Sequence, residues 1–402
     1  MSRLPVKKAG NMVWWNNLRL KSKDPQTRRK AIEGLDTEAG LDEHTFELLK
    51  AALEDPETIV RAAAVATLAA TKDERVLDWI APLLRDQSPE VRQSAAAALG
   101  SLGYPQVSFV LAAALKDPSS NVRTSAAMAL RNLNWRPPNS EEQALFEVAL
   151  GNARGAAFQG DAAVSPLVTE LQHDTSYARR AAAEALEGVT DPRRIQPLLA
   201  ALTDEEPTVR VSAIHALAKE TGEPIAAAVL RALGDPEACV RLAAAQVLSK
   251  KANPDLVPHF LPLVTDNHFE VRLTAVQFLG HFYCPEIVQA LQPRLADKDS
   301  DVRLAATKAL GLLRDAAAIE SLVLVLIDDE RAIRSAAELS LDQIDPQWSQ
   351  SEAAQRAAAR LKASLNDRPA WVRAAAGQVL AKLRPSTGEV SAQNTPLNLE
   401  VQ

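Results

Sequence analysis

Apolar positions recur along most of the chain at helical spacing. Val240, Ala244 and Leu248 mark one face of a helix, and the runs "IAPLLRD" and "IQPLLAAL" mark others. The pattern then repeats: "DPEACVRLAAAQVL" at 235–248 is followed 31 residues later by "DNHFEVRLTAVQFL". Val60-Arg61, Val91-Arg92 and Val122-Arg123 stand 31 apart, as do the steps ending in Arg179, Arg210, Arg241, Arg272, Arg303 and Arg334. Val372-Arg373 follows after 39, and Arg28-Arg29 forms a degenerate first copy.

Within each unit an Asp, commonly followed by Pro, separates two apolar-periodic stretches. Asp is suited to cap the incoming helix and Pro to start it, where no amide partner is needed. The pattern predicts an all-α fold of about ten two-helix repeats. Helix A precedes the Asp and helix B begins at the Val. One hairpin cannot bury its apolar face alone, so neighbours must stack into an α-α superhelix.

The period breaks once in the middle. Arg123 and Arg179 are 56 residues apart, 25 more than one unit. Pro137-Pro138 stops the chain, and Ser140 with Gln143 reads as a capping box for a helix to about Leu150. Gly151 to Gly160 reads as a loop, after which helix A resumes at Ser165-Pro166. The segments expected are a basic N-terminal cap at 1–23, repeats at 24–134, an inserted helix and loop at 135–164, repeats at 165–384, and a disordered tail at 385–402. Trp348 and Trp371 are placed to seal the C-terminal end, as terminal repeats require. Trp14 and Trp15 are read as covering the first repeat; a membrane contact there is the alternative, disfavoured by the short apolar stretch.

Composition narrows the class. The 402 residues are 47% hydrophobic but only 4% aromatic, which suits close-packed helices. Net charge is −6, and because residues 1–30 carry nine basic residues and one acid, the remainder carries −14. An acidic body disfavours nucleic-acid binding. Cys239 and Cys284 form no Cys-x-x-Cys pair, no leader segment is evident, and a reducing, cytoplasmic location is expected. Cys239, just ahead of Val240, reads as a small buried packing residue.

The repeat resembles HEAT repeats, in particular the short 31-residue HEAT-like class named from phycobilisome lyases. The residues that carry the likeness are Asp235-Pro236 with Val240-Arg241 and equivalents such as Asp117-Pro118 with Val122-Arg123, over roughly residues 24–384. The resemblance implies a hydrogen-bonded ladder between successive repeats, here Asp86, Asp117, Asp204, Asp235, Asp266 and Asp297 with Arg92, Arg123, Arg210, Arg241, Arg272 and Arg303. A row of arginines can alternatively bind phosphates. The acid six residues before each Arg favours the structural role.

Catalytic signatures are missing from the sequence. The HEAT-like deoxyhypusine hydroxylases are built on His-Glu dipeptides, and none occurs among the six histidines here. There is no His-Glu-x-x-His, no Gly-x-Ser-x-Gly, and Asp161 follows Gly160 where a phosphate-binding loop needs Lys. Neither a metal nor another cofactor is expected.

The resemblance places the B helices on the concave side. Two residues after the central Ala of each B helix, successive copies carry Ala66, Ala97, Met128, Glu184, His215, Gln246, Gln277 and Lys308. Lys219, Lys250 and His281 follow four residues on. The expected binding stripe is therefore His215, Lys219, Gln246, Lys250, Gln277, His281 and Lys308. The function read from this is a non-enzymatic scaffold or adaptor holding a protein or peptide. An accessory subunit of bilin-lyase or chaperone type is the alternative.

Overall fold

The structure is a computed structural model that describes residues 19–37, 40–363 and 369–383. Trp14 and Trp15, with most of the basic N-terminal segment, and the tail from 384 onward lie outside those residues. The described residues are helical, without strands. The chain divides into two compact units that meet in sequence at Lys219 and Glu220.

In the first unit the B helices are α1 (Pro25–Glu33), α2 (Thr58–Ala70), α3 (Pro89–Leu102) and α4 (Ser120–Asn132). Next come α5 (Ser140–Ala149), α6 (Ala153–Ala157), α7 (Val164–Glu170), and the B helices α8 (Ser176–Leu186) and α9 (Pro207–Leu217). In the second unit the B helices are α10 (Ala238–Ser249), α11 (Phe269–Leu279), α12 (Ser300–Leu313), α13 (Arg331–Ile344) and α14 (Ala370–Lys382). From α2 onward each is preceded by shorter helical A segments, several of which tighten into 3₁₀ turns such as Ala81–Arg85 and Gln292–Ala296.

Consecutive B helices pack side by side, α1 through α4 in the first unit and α10 through α13 in the second. The residue four after each Val explains how. Ala64, Ala95, Ala126, Ala182 and Ala213 in one unit, and Ala244, Ala275, Ala306, Ala337 and Ala376 in the other, are fully buried. Alanine keeps helical propensity while letting neighbouring backbones come close. At three positions even a methyl group is too large: a Cβ on Gly100 would lie 2.4 Å from that of Ala129, one on Gly280 2.7 Å from that of Ala309, and one on Gly311 2.5 Å from Ser340 Oγ.

Four sequence expectations need correction. Asp24 caps α1, accepting the Thr27 N–H at 2.9 Å, but in the later copies the repeat Asp does not cap helix B directly. Its Oδ1 accepts the backbone N–H two residues on, as in Asp86 with Ser88 (2.8 Å) and Asp266 with His268 (2.8 Å), making a turn just ahead of the helix. Helix α5 is capped by Asn139, whose side chain accepts the Glu142 N–H at 2.9 Å, rather than by Ser140. Cys239 is exposed, because the helix starts with Ala238 and turns that side chain outward. Trp371 is 47% exposed and seals nothing, whereas Trp348 is buried and donates from Nε1 to Asp342 at 3.0 Å.

The stretch read as a loop between Gly151 and Gly160 contains α6. Asn152 caps it, accepting the Gly155 N–H at 3.0 Å and donating to Glu147 at 2.7 Å. Helix α5 packs against α7, and α6 packs against α8. The 25 surplus residues thus make an irregular repeat whose B helix is cut to 5 residues.

Candidate functional site

The arginines of the Val-Arg steps lie in helix B and point along the stack. Arg61 donates Nε and Nη2 to the two carboxylate oxygens of Asp86 at 2.9 and 2.8 Å, and Nη1 to the carbonyls of Asp55 and Pro56 at 2.8 and 3.1 Å. Arg92 treats Asp117 the same way (2.7 and 2.9 Å), and Arg28 and Arg179 do so with Asp55 and Asp204. In the second unit the pairs are Arg241 with Asp266, Arg272 with Asp297 and Arg303 with Asp328. The carboxylate therefore comes from the following repeat, 25 residues on, or 27 in the case of Arg28. The residue six before each Arg supplies its backbone carbonyl; it is an Asp in most copies, but Ser22 for Arg28 and His173 for Arg179. Arg210 follows that rule, donating to the Asp204 carbonyl at 2.8 Å, and Asp235 accepts the Glu237 N–H at 2.9 Å.

One step differs. Arg123 has the irregular repeat ahead of it and donates Nη2 to Glu170, in α7, 47 residues on. The irregular repeat places no Asp against Arg123, and Glu170 takes the fork instead. Both side chains are buried.

In the Arg–Asp pairs Nε, Nη1 and Nη2 are all hydrogen-bonded, which leaves no two-pronged face of the guanidinium open to a phosphate. Burial pushes the Asp86 carboxyl up, but the Arg61 fork, the Ser88 amide and the nearby positive charges hold it below the usual carboxylate range. The same balance depresses Asp55, Asp204, Asp266 and Asp297. Hydrogen bonding to Asp86 raises Arg61 in turn. The ladder is spine.

The outward side of the B helices is different. His215, Gln246, Gln277 and Lys308 are all exposed, as are Lys219, Lys250 and His281. In the second unit two depressions adjoin. One of about 280 Å³ is bordered by Leu273, Gln277, His281, Leu304, Lys308 and Leu312. The other, about 480 Å³, is bordered by Lys250, Thr274, Gln277, Phe278, His281 and Phe282. They share Gln277 and His281, whose Nδ1 lies 2.8 Å from the Gln277 carbonyl oxygen. Four stripe residues are thus brought to one place, and Gln246 is left outside it.

In the first unit Lys219 faces other company. It lies 3.9 Å from Glu187 and borders a cleft of about 620 Å³ opened where α6 ends early. Arg154, Phe158, Tyr177 and Glu184 line the same cleft. Phe158 and Tyr177 are 84% and 67% exposed, with the Arg180 guanidinium 5.6 Å from the Tyr177 ring centre. Sequence reasoning missed these two aromatics. Tyr177 sits where the repeats otherwise place a residue of no fixed type, and Phe158 falls in the stretch read as a loop. His215 does not border that cleft.

Among the described residues no group of three or more His, Cys, Asp or Glu is arranged to hold a metal ion, and no helix is long and apolar enough to cross a membrane.

HEAT repeats match residues 17–87, 46–131, 164–249, 228–301 and 257–342, and the chain belongs to the HEAT-repeat family. No curated protein matches it. Among solved structures it is similar to an engineered protein (21% identity over 83% of this chain and 98% of that one, TM-score 0.39). It is also similar to human deoxyhypusine hydroxylase in complex with glycerol (21%, 76% and 96%, TM-score 0.28). Importin beta matches at 14% identity over 92% of this chain and 55% of its own, TM-score 0.38.

Proposed function

We propose that this chain is a non-enzymatic interaction scaffold that holds a protein or peptide against the outward face of its B helices, the concave face of the repeat class. One observation carries the reading. A fixed frame of buried alanines and paired arginines repeats along each unit, while the position two after each alanine is exposed and changes from Ala66 and Ala97 through Met128 and Glu184 to Gln277 and Lys308. A frame held constant under a varied surface is what recognition of an extended partner requires. Family membership supports a scaffold, and fold alone does not decide function.

The 31-residue period supports placing the repeats in the phycobilisome-lyase-like class. The accessory-subunit reading that follows predicts visible absorbance or pigment transfer to a partner protein, and a spectrum of the purified chain with bilin and candidate acceptor tests it. The two unpaired cysteines support work in a reducing, cytoplasmic compartment, which fractionation of cells would check.

The scaffold reading is tested by affinity capture with the full chain, against a bait carrying Gln246→Glu, Gln277→Glu and Lys308→Glu. A protein retained by the wild type and lost with the variant is the expected result. Equal retention by both baits moves the docking site off this face, to the cleft beside α6 or to the basic N-terminus.

A further inference from the structure

We infer that the paired depressions over α10, α11 and α12 take an acidic peptide segment that carries a large aliphatic or aromatic side chain. This rests on the scaffold reading above and names the chemistry of its partner.

The shape of the depressions follows from the repeat. Gly280 has no side chain and Ala309 opposite it has only a methyl, so α11 and α12 approach closely and the surface between them dips. Leu273 and Leu304 are half-buried at the sides of the dip, and Leu312 stands 61% exposed at its rim. Exposed leucine beside half-buried leucine keeps apolar area in water that a partner can cover, at ~25 cal/mol per Å² removed. At about 280 Å³ this dip is just below the ~300–1,000 Å³ typical of small-molecule sites. It is also open, which suits one anchoring side chain of a longer chain.

Charge sets the class of peptide. Most arginines of the B helices are consumed by the ladder, but Lys250 and Lys308 take part in no ion pair among the described residues. With His281 between them, they make the polar rim of the paired depressions basic in a chain of net charge −6. The one carboxylate lining either depression is Asp301, seven residues before Lys308 on the same helix and so ~10 Å away along its axis. A carboxylate on the partner beside Lys250 or Lys308 gains an unclaimed cation, while a basic side chain there meets like charge. Screening confines this to the groove: at physiological salt the Debye length is ~8 Å, so the acidic remainder of the chain does not cancel it.

The test pans a random peptide display library on the full chain and discards sequences that also bind the Lys250→Glu/Lys308→Glu variant. Both lysines are exposed, and circular dichroism melting of the variant confirms that it folds. The expected outcome is enrichment of sequences rich in Asp and Glu around a Leu, Ile or Phe. Synthetic copies should bind wild type in fluorescence anisotropy, weaken at least ~10-fold with the variant, weaken with added salt, and lose affinity with Leu312→Ser. Enriched sequences that are neutral or basic would overturn this inference and leave the face a peptide-binding surface. If no enriched sequence depends on the two lysines, the groove is not the docking site and the inference falls with it.

Discussion

At the residue scale, the protein rests on a guanidinium whose three nitrogens are all hydrogen-bonded. Arg272 shows the device at its driest: its side chain is 4% exposed and that of Asp297 3%. Removing one partner of such a pair strands the other charge away from water, which costs ~3–5 kcal/mol. Arg294, 3.5 Å from Asp297, supplies partial relief. We expect Arg272→Met to lower the urea midpoint most. Arg272→Lys should fall between, since an ammonium cannot make the two-pronged contact. Lys116→Ala serves as contrast: its bond to Glu141 joins two side chains that are about 60% exposed, and the change should stay within ~1 kcal/mol. Equal losses for Arg272→Met and Lys116→Ala would contradict the spine. The positions of these residues were legible in the sequence; their partners were not. With a period of 31, the acid six residues before an Arg and the acid 25 after it are successive copies of one position. Only the packing of one repeat on the next shows which carboxylate the fork reaches.

At the scale of the element, the informative piece is α6. The Val-Arg spacing revealed that 25 residues were extra, and the Pro137-Pro138 stop marked where they begin. That they form a shortened repeat was hidden, because three glycines and a helix of 5 residues leave too few turns for periodicity to register. The cap was the signal available: an Asn three residues before a Gly. Gly155 is required there, since a Cβ would come within 2.1 Å of the Asn152 amide. Gly155→Ala should therefore displace the cap and loosen α6 without disturbing the ladder. Hydrogen–deuterium exchange should accelerate over residues 152–158 and remain unchanged in α2 through α4. Faster exchange throughout the first unit would mean that α6 is part of the core and not an appended turn.

Taking the molecule as a whole, the ladder makes acid stability a collective property. Asp55, Asp86, Asp204, Asp266 and Asp297 each titrate below the usual carboxylate range in the folded chain. An unfolded chain binds protons at these sites before the folded one does, so stability rises with pH through that window. The contribution is complete above the ordinary Asp pKa of ~3.9 and is lost as pH falls through the lower folded values. Because several sites act together, unfolding should take up several protons and be steep in pH. Acid titration followed by circular dichroism checks this; replacing Asp86 and Asp266 by Asn should flatten it, and an unchanged slope would contradict it. The helical class could be read from periodicity, and the family from the resemblance of the Asp-Pro and Val-Arg motifs to HEAT repeats. The division at Lys219 and Glu220 could not, since the 31-residue spacing runs through it unbroken from Arg210 to Arg241.

The central claim is that partners bind the outward face of the B helices and not the opposite side. The most direct measurement places a photo-crosslinking amino acid at Gln277 in one chain and at Phe109 in another. Phe109 is 84% exposed and borders a depression between A segments of the first unit. After irradiation with the captured partner, mass spectrometry should find the crosslink from position 277 and none from position 109. A crosslink from 109 with none from 277 would place the partner on the A side and contradict the account.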